Sequence, residues 1–290
     1  MANMQTFDVQ TQDGFSLTAT RFDPPGASRG AILIVPAMGA AQSFYAPFAE
    51  WLAEQGWLTL TFDYRGMGAS RRSPLRGFDT DLSTWATQDC AAMVAVIQQL
   101  APHVPLLWIG HSLGGQIAGM VPGIERFSQI LTIASGSGYW RQNAPPLKRR
   151  VLLLWYVLAP LLTASCGYFP GKRLKMVGDL PAGVIRQWRR WCLHPEYLMA
   201  EGEPMRQRYQ QLQLPIAGLS FTDDELMTPA GIEALHALYS GSRAALEHIA
   251  PDTTGMRRIG HFGFFRPESR EPLWHSRVQP VLERVRASFN

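Results

Sequence analysis

The pentapeptide Gly110-His111-Ser112-Leu113-Gly114 constrains this chain more than any other stretch. It follows a short apolar run, Pro105-Leu106-Leu107-Trp108-Ile109, of the kind a buried parallel strand needs. It precedes Gly115-Gln116-Ile117-Ala118-Gly119-Met120, which can open a helix. Strand, sharp turn and helix in that order put a serine at the apex of a strained turn, with its hydroxyl lifted clear of a sheet. The serine backbone must hold an unfavourable φ/ψ while neighbouring chain passes close, so a Cβ at Gly110 or Gly114 would collide. A G-x-S-x-G pattern alone arises by chance in roughly one chain in ten of this length, so its context carries the reading.

A serine hydroxyl is a poor nucleophile unless a base takes its proton and a third group holds that base in the correct tautomer. Of the seven histidines, His261 has the setting for a base, a late loop Arg258-Ile259-Gly260-His261-Phe262-Gly263-Phe264-Phe265 with glycines on both sides. His248 lies in a strand-like run and reads as structural. His111 adjoins the serine and is expected to point away from its Oγ. His103, His194, His236 and His275 have no comparable setting. For the carboxylate, the strand-like run Pro215 to Phe221 ends in Thr222-Asp223-Asp224-Glu225-Leu226-Met227-Thr228-Pro229. Asp224 is preferred because an apolar pair and a proline follow it where the loop turns into a helix. Asp223 stays open as the alternative acid, and whichever is unused would be solvated or cap the helix.

The order serine, acid, histidine is that of the α/β-hydrolases. The resemblance extends to two further stretches. Val35-Pro36-Ala37-Met38-Gly39 follows the apolar run Ala31 to Val35 and takes the place of that family's His-Gly oxyanion segment. Asp63-Tyr64-Arg65-Gly66-Met67-Gly68-Ala69-Ser70 resembles its Asp-x-Arg-Gly-x-Gly-x-Ser turn. The chain is most similar to bacterial predicted hydrolases allied to the lysophospholipase and serine-aminopeptidase branch. That resemblance implies an α/β-hydrolase fold and a serine hydrolase that passes through an acyl-enzyme. The departure lies at Pro36-Ala37. An oxyanion hole needs backbone N–H groups about 3 Å from the developing charge, and proline has none to give. The donors expected here are Met38 and Leu113.

Alternating apolar runs and helical segments imply a mostly parallel sheet covered on both faces. Strands are expected near residues 4–9, 15–22, 31–35, 58–62, 105–109, 129–134, 215–221 and 244–249. Helices are expected over 43–55, 82–101, 113–121, 229–239 and 271–288. In the second helix Cys90, Met93, Val94, Ile97 and Leu100 share a face. Residues 1–137 and 211–290 form the core domain on this reading. Residues 138–210 break the alternation and are expected to be a helical lid that shapes the substrate pocket. Within it, Val151 to Gly171 carries no Asp, Glu, Lys or Arg and is long enough to span a membrane. A span would put Ser112 and His261 on opposite sides of the bilayer, and Pro160 is expected to break the run. Apolar lid helices over an acyl-sized pocket fit better, with shallow contact to a membrane surface as a variation.

The net charge of +4 is uneven, since residues 141–210 hold twelve Lys and Arg against four acids. A solvated outer face is the plain reading of that excess. The sharper one is a rim, with Lys148-Arg149-Arg150 at its centre, for substrates with an anionic head and an apolar tail. No recognised nucleic-acid module accompanies the charge. Cys90, Cys166 and Cys192 are odd in number and widely spaced, against a disulfide framework or a metal site. The start of the chain leads directly into a strand without a signal-like apolar core, which points to a cytoplasmic protein. No cofactor is implied, and the oligomeric state is left open.

The reading is therefore a hydrolase of carboxylic esters or thioesters with an acyl-chain substrate, using Ser112, His261 and Asp224. The alternatives are acyl transfer on the same residues, an aminopeptidase-like amidase using Glu196, Glu201 or Glu203 to hold a free amine, and a binding protein without turnover.

Overall fold

Two-residue periodicity in the apolar runs decides the layers. In the run Gly30–Val35, Ala31, Leu33 and Val35 enter one apolar cluster while Ile32 and Ile34 enter another. In Leu106–His111 the same split sends Leu106 and Trp108 one way and Leu107 and Ile109 the other. A strand that is apolar on both faces must be covered on both faces.

The computed structural model describes residues 3–289. Ten strands occur among them: β1 (Asn3–Gln10), β2 (Ser16–Asp23), β3 (Gly30–Val35), β4 (Trp57–Phe62), β5 (Leu106–His111), β6 (Gln129–Ile133), β7 (Tyr168–Phe169), β8 (Leu180–Pro181), β9 (Ile216–Phe221) and β10 (Ala244–Ile249). Eight form one sheet in the order β1-β2-β4-β3-β5-β6-β9-β10, and β7 pairs with β8 as a separate hairpin. The pairs from β4 to β10 are parallel, and β2 is antiparallel to both β1 and β4. Registers such as Val35↔Gly110 and His111↔Ile133 bring the C-terminal ends of the parallel strands to one edge. That is the edge where open α/β sheets place their ligands.

The helical run over residues 82–100 covers one face, with Cys90, Met93, Val94 and Ile97 buried and Leu100 half-buried against the same cluster. It contains a wide π turn over Trp85–Cys90. The other face is covered by helix Ala46–Glu54 and by residues 270–287. The expected helix at 113–121 is shorter: Leu113–Gln116 is α-helical and a 3₁₀ turn follows at Ala118–Met120. Three glycines weaken it. A Cβ at Gly119 would also lie 2.8 Å from the Tyr209 ring, which packs there.

The turn that begins at Asp63 is a structural device. Asp63 accepts from the backbone of Gln42 and Ala69, and Arg65 bridges Asp89 (2.6 Å) and Asp13 (2.5 Å) beneath the helical run.

Residues 138–210 are mainly helical, with Pro145–Lys148, a run over 151–166, Ala182–Leu193 and Glu203–Gln211, and also contain the β7–β8 hairpin that the sequence reading did not expect. Pro160 does not break the run as expected. The helix passes from α-helix (Val151–Leu153) through a π turn (Leu154–Leu158) to α-helix (Ala159–Cys166). The altered bonding just ahead of Pro160 makes it the second residue of a fresh helical stretch, where a missing N–H breaks no bond. No helix among the described residues is long and apolar enough to cross a membrane.

Trp274 closes the second cluster, against Phe48 (ring centroids 5.1 Å) and Trp51 (5.7 Å), with its Nε1–H donated to the Phe264 carbonyl at 2.6 Å. Trp274→Ala is expected to cost about 3–5 kcal/mol, read as a fall in the urea midpoint without a change in slope.

Candidate active site

Each element of the site leaves the C-terminal edge of a parallel strand. After β5 the chain turns at Ser112, which has φ +49° and ψ −109°, a strained conformation for a residue with a side chain. A Cβ at Gly110 would lie 2.4 Å from Gly115 N, and one at Gly114 would lie 2.1 Å from Val35 O, so only glycine fits on either side of the turn. The Ser112 amide is held by Ile133 O at 2.9 Å. The turn is also pinned from residues 138–210. Tyr197 Oη donates to Gln116 Oε1 at 2.8 Å and Tyr209 Oη to Gln116 O at 2.6 Å.

The loop after β9 carries three consecutive acids, and all three bind the loop that bears His261. Asp224 Oδ2 accepts from His261 Nδ1 at 2.8 Å, with both side chains almost fully buried. Its other oxygen accepts the amides of Leu226 (2.7 Å) and Met227 (2.9 Å), which fixes the carboxylate plane. Asp223 accepts the amides of Ile259 (2.9 Å) and Gly260 (3.0 Å). Glu225 accepts the amide of His261 at 3.2 Å and pairs with Arg258 at 3.2 Å. Asp224 is thus the acid brought to the imidazole, and the half-buried Asp223 caps no helix but holds the backbone. With Nδ1–H donated to a carboxylate, His261 Nε2 is left as the acceptor nitrogen.

His111 points away from Ser112, as its position suggested, but its destination was not legible. Its Nε2 lies 3.0 Å from the His261 carbonyl and its Nδ1 lies 2.9 Å from Tyr45 Oη, which in turn accepts the Ala37 amide at 2.8 Å. The proton positions follow from the partners. A carbonyl only accepts, so Nε2 carries the hydrogen, Nδ1 is the acceptor and Tyr45 donates to it. The chain Ala37 N–H, Tyr45 O–H, His111 and His261 C=O joins the segments after β3, β5 and β10. Burial holds His111 well below the usual histidine range, helped by the neighbouring His261. Burial also keeps the Tyr45 phenol protonated.

Because Tyr45 takes the Ala37 amide and Pro36 has none, Met38 is the next amide on that segment. Neither Met38 N–H nor Leu113 N–H donates to an acceptor among the described residues. Beside Met38 opens a cavity of about 470 Å³ between the sheet edge and residues 138–210. Its walls are mainly apolar, from Leu147, Leu154, Trp155, Ile185, Trp188 and Phe262, with Lys175 and Glu225 the charged residues on them. Lys148, Arg149 and Arg150 are exposed and outside that lining. No group of three His, Cys, Asp or Glu among the described residues is arranged to hold a metal ion.

Tyr45→Phe leaves the Ala37 amide and His111 Nδ1 unpaired in a buried place, and should cost about 2 kcal/mol or more of stability by urea unfolding. His111 is neutral when folded but protonates in the unfolded chain below about pH 6.5. The unfolded state then binds the extra proton, so this residue removes stability as pH falls below that value, by roughly 1 kcal/mol per pH unit. Urea midpoints between pH 7 and pH 5 should therefore fall less steeply for His111→Asn than for the wild type.

The geometry agrees with what the chain is similar to. A solved lipase in its open form superposes with a TM-score of 0.64 at 18% identity, covering 98% of this chain and 99% of that one. An esterase of Pyrococcus furiosus gives 0.61 at 16% identity over 98% and 90%. A cold-adapted esterase from an Arctic intertidal metagenomic library gives 0.57 at 16% identity over 99% and 94%. At such identities the likeness is one of fold. No curated protein matches the sequence. Residues 26–178, from β3 through the turn at Ser112 and into the helical segment, match the model of the serine aminopeptidase S33 family, and the chain belongs to that family of α/β-hydrolases.

Proposed function

We propose that the protein hydrolyses carboxylic esters or thioesters of apolar acyl chains through an acyl-enzyme on Ser112. The observation that carries this reading is the buried Asp224–His261 pair at 2.8 Å, on a loop tied by the His261 carbonyl to the residue preceding the strained serine. Ser112 Oγ attacks the carbonyl carbon while His261 Nε2 takes its proton. Asp224 steadies the imidazolium, and the Met38 and Leu113 amides receive the oxyanion. The tetrahedral intermediate collapses, His261 returns the proton to the leaving alcohol or thiol, and the acyl group stays on Ser112. Water, deprotonated by His261, then releases the acid. The cavity beside Met38 supports an acyl chain as the bound part of the substrate, and Lys175 on its wall is the group that would meet an anionic head.

The family name alone would favour a peptide amine as substrate, and the side chains favour an ester. Holding a free amine needs unpaired acids facing the cavity. Glu201 accepts from Gln187, Trp191 and Arg190, and Glu196 and Glu203 pair with Arg206. None of the three lines the cavity, and Glu225, which does, is engaged by the His261 amide and Arg258.

A fluorophosphonate probe should label the wild type covalently and fail on Ser112→Ala and His261→Ala. Asp224→Asn should cut ester hydrolysis about 10⁴-fold while leaving the fold intact, whereas Asp223→Asn should act mainly on stability. Absence of labelling in folded wild type would move the protein to the non-catalytic binding reading.

A further inference from the structure

The helical run over residues 151–166 has no polar face. Its inward stripe, Val151, Leu154, Trp155, Ala159 and Thr163, is buried, and its first three members line the cavity. Its outward stripe, at the i, i+3, i+4 spacing of one helix face, is Leu153, Tyr156, Val157, Pro160, Leu161, Ala164 and Ser165, all exposed. A helix on the surface of a globular protein ordinarily carries charge there. Leu153, Tyr156 and Leu161 are 57%, 61% and 61% exposed. The nearby loop over residues 172–176 exposes Leu174 and Met176, and Met176 belongs to the wall of the same cavity. Of the eight large apolar residues exposed among the described residues, six lie between Leu153 and Met176, so the apolar exposure is concentrated in one region.

The charge around this face is mainly positive, with Asp179 accepting the Lys172 amide at 3.1 Å. From Arg141 to Gly178 the chain holds seven cations and no acid. None of the seven forms an ion pair among the described residues, although ion pairs are common elsewhere on the surface. Arg149, Arg150, Lys172 and Arg173 are exposed at the ends of the two apolar segments and stand outside the cavity lining. An isologous contact with a second copy would bring these unpaired cations against themselves.

We propose that this face docks on an anionic lipid surface. The helix over 151–166 lies in the interface with its outer stripe among the acyl chains, the flanking Arg and Lys side chains meet lipid phosphates, and the substrate cavity sits directly behind. Apolar contact alone would give weak, unselective adsorption, and the unpaired cations supply the preference for anionic lipid. The docking stands apart from the hydrolytic chemistry and adds to it the place from which an apolar acyl substrate arrives.

The protein floated with vesicles of phosphatidylcholine, or of an equal mixture of phosphatidylcholine and phosphatidylglycerol, tests this directly. The wild type should bind the mixed vesicles, bind phosphatidylcholine alone weakly, and release as salt is raised. Replacing Arg149, Arg150, Lys172 and Arg173 together by Ser should weaken binding to the mixed vesicles at least ~100-fold. Leu161→Asp should lose binding by placing a carboxylate in the apolar stripe. Fluorophosphonate labelling in vesicle-free buffer should be the same in these variants as in the wild type. That arm reports on the serine chemistry alone, so its failure is distinguishable from a failure to dock. Equal binding to both vesicle types, no binding to either, or binding untouched by Leu161→Asp and the fourfold substitution would overturn the proposal. A dimer seen by light scattering without lipid and abolished by Leu161→Asp would overturn it too, and assign the face to a second copy.

Discussion

The buried hydrogen-bond chain through Tyr45 and His111 is the constraint on which the site's geometry rests. Three segments that leave three different strands, at Ala37, His111 and His261, share one line of donors and acceptors in which every proton has a single position. Aromatic packing reinforces it, since the His111 ring lies 4.7 Å from Phe265 and the Tyr45 ring 4.8 Å from the same residue. In this low-dielectric setting an unpaired member would cost far more than it would in water, so the segments keep their spacing together or lose it together. Ala37 is compatible with this arrangement, because its amide serves Tyr45 and the next one, at Met38, stays available.

Ser112 holds a positive φ at a turn where Gly115 leaves room only for hydrogen at Gly110 and Val35 of β3 leaves room only for hydrogen at Gly114. The acids after β9 act on one loop in three ways. Asp223 fixes its backbone, Asp224 its imidazole, and Glu225 the amide of the same histidine. The loop bearing His261 is thereby held at its backbone and at its side chain together.

The segment between β6 and β9 serves two surfaces with one helix. The inner stripe of residues 151–166 needs apolar side chains to wall the cavity, and its outer stripe is apolar as well, which a purely structural cover would not require. Tyr197 and Tyr209 anchor this segment to Gln116, just beyond the turn at Ser112.

The layered sheet was legible in the sequence, because alternating apolar residues and helix periodicity are local properties of runs such as Gly30–Val35 and residues 82–100. The turn at Ser112 was legible in part, since Gly110 answers a clash with Gly114 and Gly115 a few residues on, whereas the clash that requires Gly114 is with the distant Val35 carbonyl. Sequence spacing favoured Asp224 but left Asp223 open. One residue of difference becomes decisive only where the turn after β9 meets the loop bearing His261. Nor could it show that Pro160 sits inside a helix, because the π turn that accommodates it depends on how the neighbouring residues pack. The partners of His111 come from residues 66 and 150 positions away, and no local pattern announces them. What the sequence by itself determined was the set of strands, helices and strained turns that short-range sterics and periodicity dictate. Which carboxylate meets the imidazole, which amides stay free and which face of the helix over 151–166 is left uncovered were decided by the tertiary structure alone, because each depends on contacts between segments far apart in the chain.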